Sequence, residues 1–178
     1  MNPIKRLLHE HVDIMAQIAD LRAAAHDLAA RGEAALPETL PVLRRIGHMM
    51  ETQLARHAQK EDEALFPALE SVLGTEGSPT TVMRIEHTDI HAQGELLRRT
   101  LRELNEDEHP ALEAGGERLR SLPVQGVSAA ALRSTAEEII ALLDAHFGKE
   151  EHILFPMAAS ILDERALAQV GRKMEAMS

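Results

Sequence analysis

Four long runs of this chain place an apolar residue at every third or fourth position, the pattern of an amphipathic helix with one buried face. The first run spans about 3–31 and carries Ile4, Leu7, Ile14, Ile18 and Leu21 on one stripe, ending at Gly32, a C-cap residue. The second starts near Pro37 and reaches about Leu65, with Pro67 read as its stop. Ser78 before Pro79 marks the start of the third, which runs to about Asn105 through Met83, Ile90, Gly94, Leu97 and Leu101. Ser128 caps the fourth, which carries Ile139, Leu143 and Ile153 or Leu154 and ends near Leu154. Asp163 caps a short C-terminal helix over about 163–177. Between the third and fourth runs lie residues 106–128, long for a compact domain, and "ALEAGGERLRSL" within them is read as room for a short helix. No segment shows the alternation of a strand. The expected fold is all-α: an antiparallel up-down-up-down four-helix bundle over about 3–157 with a short C-terminal helix, forming a single domain over 1–178.

Every apolar stripe is interrupted by histidine. His11 falls on the first, His57 and then Glu61 on the second, His87 with His91 on the third, and His146 and then Glu150 on the fourth. A lone histidine on an apolar face is more often a hydrogen-bonded core or boundary residue than a ligand. Here the bland explanation must hold on four stripes at once. Buried carboxylates without partners cost several kcal/mol each, so two of them facing imidazoles in one core need a positive charge between them. Five further histidines, His9, His26, His48, His109 and His152, fall off the stripes or in the long connection and are read as solvated.

The second and fourth runs share a motif. HAQKEDEALFP at 57–67 returns as HFGKEEHILFP at 146–156, each with histidine and glutamate one helical turn apart. Leu, Phe and Pro close each copy, and proline is read as the helix stop. The register of the first copy favours Glu150 over its neighbour Glu151 as the inward carboxylate, with Glu151 as the fallback.

Composition narrows the chemistry. The chain has no cysteine, which excludes disulfides, thiolate catalysis and sulfur-ligated clusters. It has no tryptophan or tyrosine, which excludes tyrosyl chemistry. Its net charge of −10 argues against nucleic acid and anionic membranes as partners. No N-terminal signal-like run and no membrane-length segment is present, so the cytoplasm is the expected location. A zinc site wants about four donors; His11, His57, Glu61, His87, His91, His146 and Glu150 are too many for one. They suit two six-coordinate iron ions, oxo- or hydroxo-bridged, with the carboxylates spanning the pair, although manganese fits the same donor types.

These residues carry a resemblance to the hemerythrin family, in its bacterial HHE cation-binding branch, over about residues 4–157. The two HxxxE-x3-LFP elements are its most specific marks; His11 in "LLHEHVDI" and His87 in "RIEHTDIH" match the histidines of the first and third helices. His91 matches a second histidine of the third helix found in oxygen-carrying members. Oxygen carriers space the last histidine and its carboxylate by five, which this chain does not do with Glu150. The resemblance implies O2 binding, NO binding or peroxide turnover as activities. If His91 ligates, the site is closer to the oxygen-binding type; if not, a second position opens and peroxide or NO chemistry gains. No proton-delivering acid is evident beyond the ligands, so any catalase- or peroxidase-like activity is expected to be weak. Ile14, Met15, Ile90, Leu142 and Phe147 are expected to line the ligand pocket. Two other classes stay open: an iron-sensing or iron-storage module, and a metal-free helical interaction protein.

Overall fold

The computed structural model describes residues 2–113 and 128–177, with side chains described outside 105–113. Its described elements are helical throughout. Helix α1 is Pro3–Arg31, started by the Asn2 side chain accepting from the Ile4 and Lys5 amides and ended at Gly32, whose φ of 55° suits glycine. A short 3-10 turn, Gly32–Ala35, leads directly into α2, residues 36–73. Helix α3 is Pro79–Glu113. Helix α4, residues 129–161, starts where the Ser128 hydroxyl accepts from the Ala131 amide. Helix α5 is Glu164–Glu175, capped by Asp163.

Three boundaries differ from expectation. α3 passes Asn105 and reaches Glu113, and the rest of the stretch read as room for a short helix lies outside the described residues. Neither LFP ends its helix: α2 continues through Pro67 to Leu73, and α4 through Pro156 to Ile161. The reason is local. Both prolines follow a π-helical turn, Glu61–Leu65 in α2 and Glu150–Leu154 in α4. A π turn has already broken the i→i−4 ladder, so the missing proline N–H sacrifices little. In α2 the Asp62 carbonyl, five residues before Pro67, accepts instead from Arg84 Nη1 at 3.1 Å.

Each of the four long helices packs on the next in sequence, and α4 closes the ring onto α1. The core comes in two apolar clusters. Ile14, Ile18, Leu21, Leu43, Ile46, Leu97, Leu132, Ile139 and Leu143 belong to one. Ile4, Leu7, Leu65, Phe66, Leu69, Met83, Phe155, Val170 and Met174 belong to the other. α1 and α3 pass from the second cluster to the first; α2 and α4 pass from the first to the second. The helices therefore alternate in direction, the up-down-up-down order read from the sequence. α5 lies against α1 and the π turn of α2, where Val170 and Met174 join the second cluster. Burial of such side chains, at roughly 25 cal/mol per Å2 of apolar surface, is what holds the bundle. Between the clusters each long helix presents its histidine, so a polar layer divides the apolar core.

Candidate metal centre

The polar layer is built from one turn of each long helix. His11 and His57 meet Glu61 and Glu150 in one group, and His87 and His146 meet the same Glu61 and Glu150 in another, with the ligand-type atoms of each group within 4.8 Å of one another. Glu61 and Glu150 are fully buried, while His11, His57 and His146 are each 1% exposed. The i, i+4 spacing of each histidine and glutamate puts both on one face of its helix. The π turn then begins at the glutamate itself in both copies, so each buried carboxylate sits where the helix widens.

The imidazoles are held from behind by other carboxylates. His57 Nδ1 lies 3.1 Å from Glu10, His146 Nδ1 2.9 Å from Glu86, His11 Nδ1 2.9 Å from Glu151 and His87 Nδ1 3.1 Å from Asp62. An ionised carboxylate only accepts, so each Nδ1 carries the hydrogen and each Nε2 turns a lone pair inward. Lys60 Nζ donates to Glu10 at 2.6 Å, and Lys149 donates to Glu86. Burial raises the Glu10 carboxyl, but hydrogen bonds from His57 and Lys60 outweigh it and hold the group at about 2. Burial pushes His57 below its usual value, so it is the neutral imidazole that a metal requires.

This arrangement is incomplete without a cation. With hydrogen on Nδ1 alone, the approaches of His11 and His146 Nε2 to Glu150, at 3.2 and 3.1 Å, set lone pair against lone pair. The same holds for His87 and His57 Nε2 against Glu61, at 3.3 and 3.5 Å, and for His11 and His57, whose Nε2 atoms stand 3.0 Å apart. Burial lowers His146, but Glu150 and Glu86 outweigh it and raise the imidazole, so without a metal it takes a second proton more readily. Both oxygens of Glu61, both of Glu150 and His87 Nε2 are buried with no hydrogen-bond partner. Burial, and then repulsion from Glu150, drives the Glu61 carboxyl well above the ordinary range. Such groups are costly alone and are natural donors to a metal cation. The donor set of imidazole and carboxylate fits iron or manganese.

Six of the seven residues singled out from the sequence, all but His91, belong to these groups. His91 is exposed, one turn beyond His87, and lines a cleft of about 480 Å3 rather than joining either group. Glu150 points inward; Glu151, with its side chain 40% exposed, backs His11 instead. His9, His26, His48 and His152 are exposed, and the side chain of His109 lies outside the described residues. The expected pocket wall needs correction. Of its residues only Ile90 lines the cleft, with Met50, Leu54, Ala58 and Gly94. Phe147 instead stacks on His11, ring centroids 3.8 Å apart, while Ile14, Met15 and Leu142 pack into the first core cluster.

The backing residues Glu10, Glu86, Asp62, Lys60 and Lys149 went unread in the sequence. Two signals marked them. A Glu-His pair recurs at 10–11 and 86–87, and the repeated motif keeps its lysine, Lys60 and Lys149, in both copies.

Imidazoles and shared carboxylates from four alternating helices define a hemerythrin-type metal-binding bundle. The chain belongs to the hemerythrin family: the hemerythrin HHE cation binding domain matches residues 2–121 and 100–177. A comparison with curated proteins gives no match. Among the described residues, no helix is long and apolar enough to cross a membrane.

Proposed function

We propose that this chain holds a pair of iron ions, oxo- or hydroxo-bridged, and binds O2, NO or peroxide there. The observation that carries the proposal is the pair of fully buried carboxylates, Glu61 and Glu150, whose oxygens have no hydrogen-bond partner yet face four inward nitrogen lone pairs. His11, His57, Glu61 and Glu150 would hold one ion, and His87, His146, Glu61 and Glu150 the other. Iron so held supplies redox chemistry and open coordination positions for a small ligand.

The residues do the rest. Glu10, Glu86, Asp62 and Glu151 fix the tautomer and direction of the imidazoles. Phe66 stacks near His87 and Phe155 lies tilted against His11, and both buried rings cover that side of the layer with apolar surface. With His91 outside both groups, four side chains would be offered to each ion, which favours NO or peroxide over reversible O2 carriage. Metal analysis of purified protein tests the reading: about two irons per chain with near-ultraviolet oxo-bridge bands are expected. Protein that folds and binds no iron would sink it. Peroxide addition then separates the uses, since oxygen evolution marks turnover and a reversible spectral change marks carriage or sensing. A second reading rests on the polar layer splitting the core, because occupancy then governs stability of the bundle, as an iron sensor needs.

A further inference from the structure

The two halves of the centre match residue for residue. Helices α1 and α2 supply Glu10, His11, His57, Lys60 and Glu61; α3 and α4 supply Glu86, His87, His146, Lys149 and Glu150 at the same spacings. Where the repeats differ, the difference falls on access. Phe147 follows His146 and stacks on His11 at 3.8 Å, 3% exposed. The matching residue after His57 is Ala58, which leaves the corresponding imidazole, His87, on the wall of the cleft. Ile18 lies seven residues beyond His11 in the packed core, whereas Gly94 lies seven beyond His87 and lines the cleft. An added Cβ at Gly94 would meet Met50 Cε at 3.2 Å, so glycine here lets α3 pack closely against Met50 on the cleft wall. α2 also carries an extra π turn, Met50–Leu54, on this wall, while the matching stretch of α4, 139–143, is regular α-helix.

Three of the centre's four imidazoles, those of His57, His87 and His146, line this cleft together with His91; His11 does not. Its walls are apolar at Met50, Leu54, Ile90 and Gly94. Its cations are already matched: Arg84 pairs with Asp62 and Glu70, and Arg98 with Glu51 and Glu95. Glu63 adds further negative charge. Such a lining disfavours anions.

Resting on the proposed function, we infer that uncharged ligands reach the centre from one side only, over Ala58 through the cleft between α2 and α3, while Phe147 seals the matching route over His11. Ala58 is then the access-determining position and the two metal positions are inequivalent toward incoming ligand.

The chain has no cysteine, so Ala58→Cys creates a single thiol. In metal-free folded protein its alkylation by iodoacetamide is expected within about tenfold of the denatured rate, where exposure alone sets reactivity. Protection of a thousandfold or more would overturn the open cleft, whatever metal binds. NO association is then followed by rapid-mixing absorption in the reduced, iron-loaded protein. Alkylated Ala58→Cys and Ala58→Phe are each expected to bind NO at least tenfold more slowly, with iron content and melting temperature as in wild type. Because the alkyl cap is added after folding, it stands even if Ala58→Phe misfolds. Wild-type association rates in the capped protein, with iron retained, would overturn the route. Iron-loaded wild type that never binds NO would instead sink the proposed NO chemistry, and the alkylation rates would still decide whether the cleft is open.

Discussion

The α1–α2 half and the α3–α4 half of the centre use the same donors but differ in what covers them. His11 is sealed under Phe147, and its backing carboxylate Glu151 pairs with His11, 2.9 Å away. His87 is open to a cleft, and its backing carboxylate Asp62 is tied to Arg84. The lysines differ too: the Lys60 side chain is 8% exposed and that of Lys149 43%. Between the halves lie Glu61 and Glu150, which belong to both. The lesson is that a duplicated ligand motif sets what binds, while the residues that escaped duplication set how it is reached.

Removing a shared donor separates the common layer from the halves most sharply. Glu61→Ala takes a ligand from both positions and is expected to reduce iron from about two per chain to almost none. His87→Ala takes a ligand from one position and is expected to leave about one iron per chain. Elemental analysis of folded protein reads both. If the two variants lost iron equally, the sharing of Glu61 would be wrong.

The shared layer also has a pH signature of its own, opposite in sign to that of His57. In metal-free protein, burial and then Glu150 raise the Glu61 carboxyl well above its ordinary 4.5. The folded state thus keeps a proton that the unfolded chain releases. Its stabilising contribution is complete below about 4.5 and is lost as pH rises toward the folded value, by up to about 1.4 kcal/mol per pH unit for one proton. Glu61→Gln removes that titration. Burial depresses His57, which acts with the opposite sign, but it does so in both proteins and cancels. Thermal melts of the metal-free pair are therefore expected to diverge as pH rises above about 5, the variant gaining on wild type. Parallel curves would mean that Glu61 holds no extra proton.

Much of this was legible in the chain. His11, His57, His87 and His146 stood out because each broke an apolar stripe, and the repeat fixed Glu61 and Glu150. The alternation of helix direction followed from links that are mostly short. Three things stayed hidden for physical reasons. A π turn adds one residue to a turn without changing the residue types, so Pro67 and Pro156 looked like helix stops when the ladder before them was already open. Glu10, Glu86 and Lys60 are long charged side chains, which on a helix usually face water; only the fold shows their carboxylates and ammonium turned onto imidazoles. His91 shared a stripe with His87, but the α3 stripe is broad at Ile90 and His91, and packing chose Ile90.

The smallest effect is expected from the backing carboxylates, and it tests whether the halves differ in strength as well as in access. Glu10 and Glu86 hold matching imidazoles, at 3.1 and 2.9 Å, and each takes a lysine. Neutralising either weakens the hold on one histidine, which for such partners costs roughly 10–100-fold in metal affinity. The two costs are not equal. Glu10→Gln leaves the Lys60 ammonium almost fully buried with no counter-charge, whereas Glu86→Gln leaves Lys149 free to turn into water. Glu10→Gln is therefore expected toward the upper end of that range and Glu86→Gln toward the lower, measured by competitive metal titration against a chelator of known affinity. Pairing Glu10→Gln with Lys60→Met removes the stranded charge and is expected to recover part of the loss; the corresponding pair at Glu86 and Lys149 is expected to recover little. Equal losses and equal recoveries would show that lysine burial does not distinguish the halves, leaving the cleft over Ala58 as their difference.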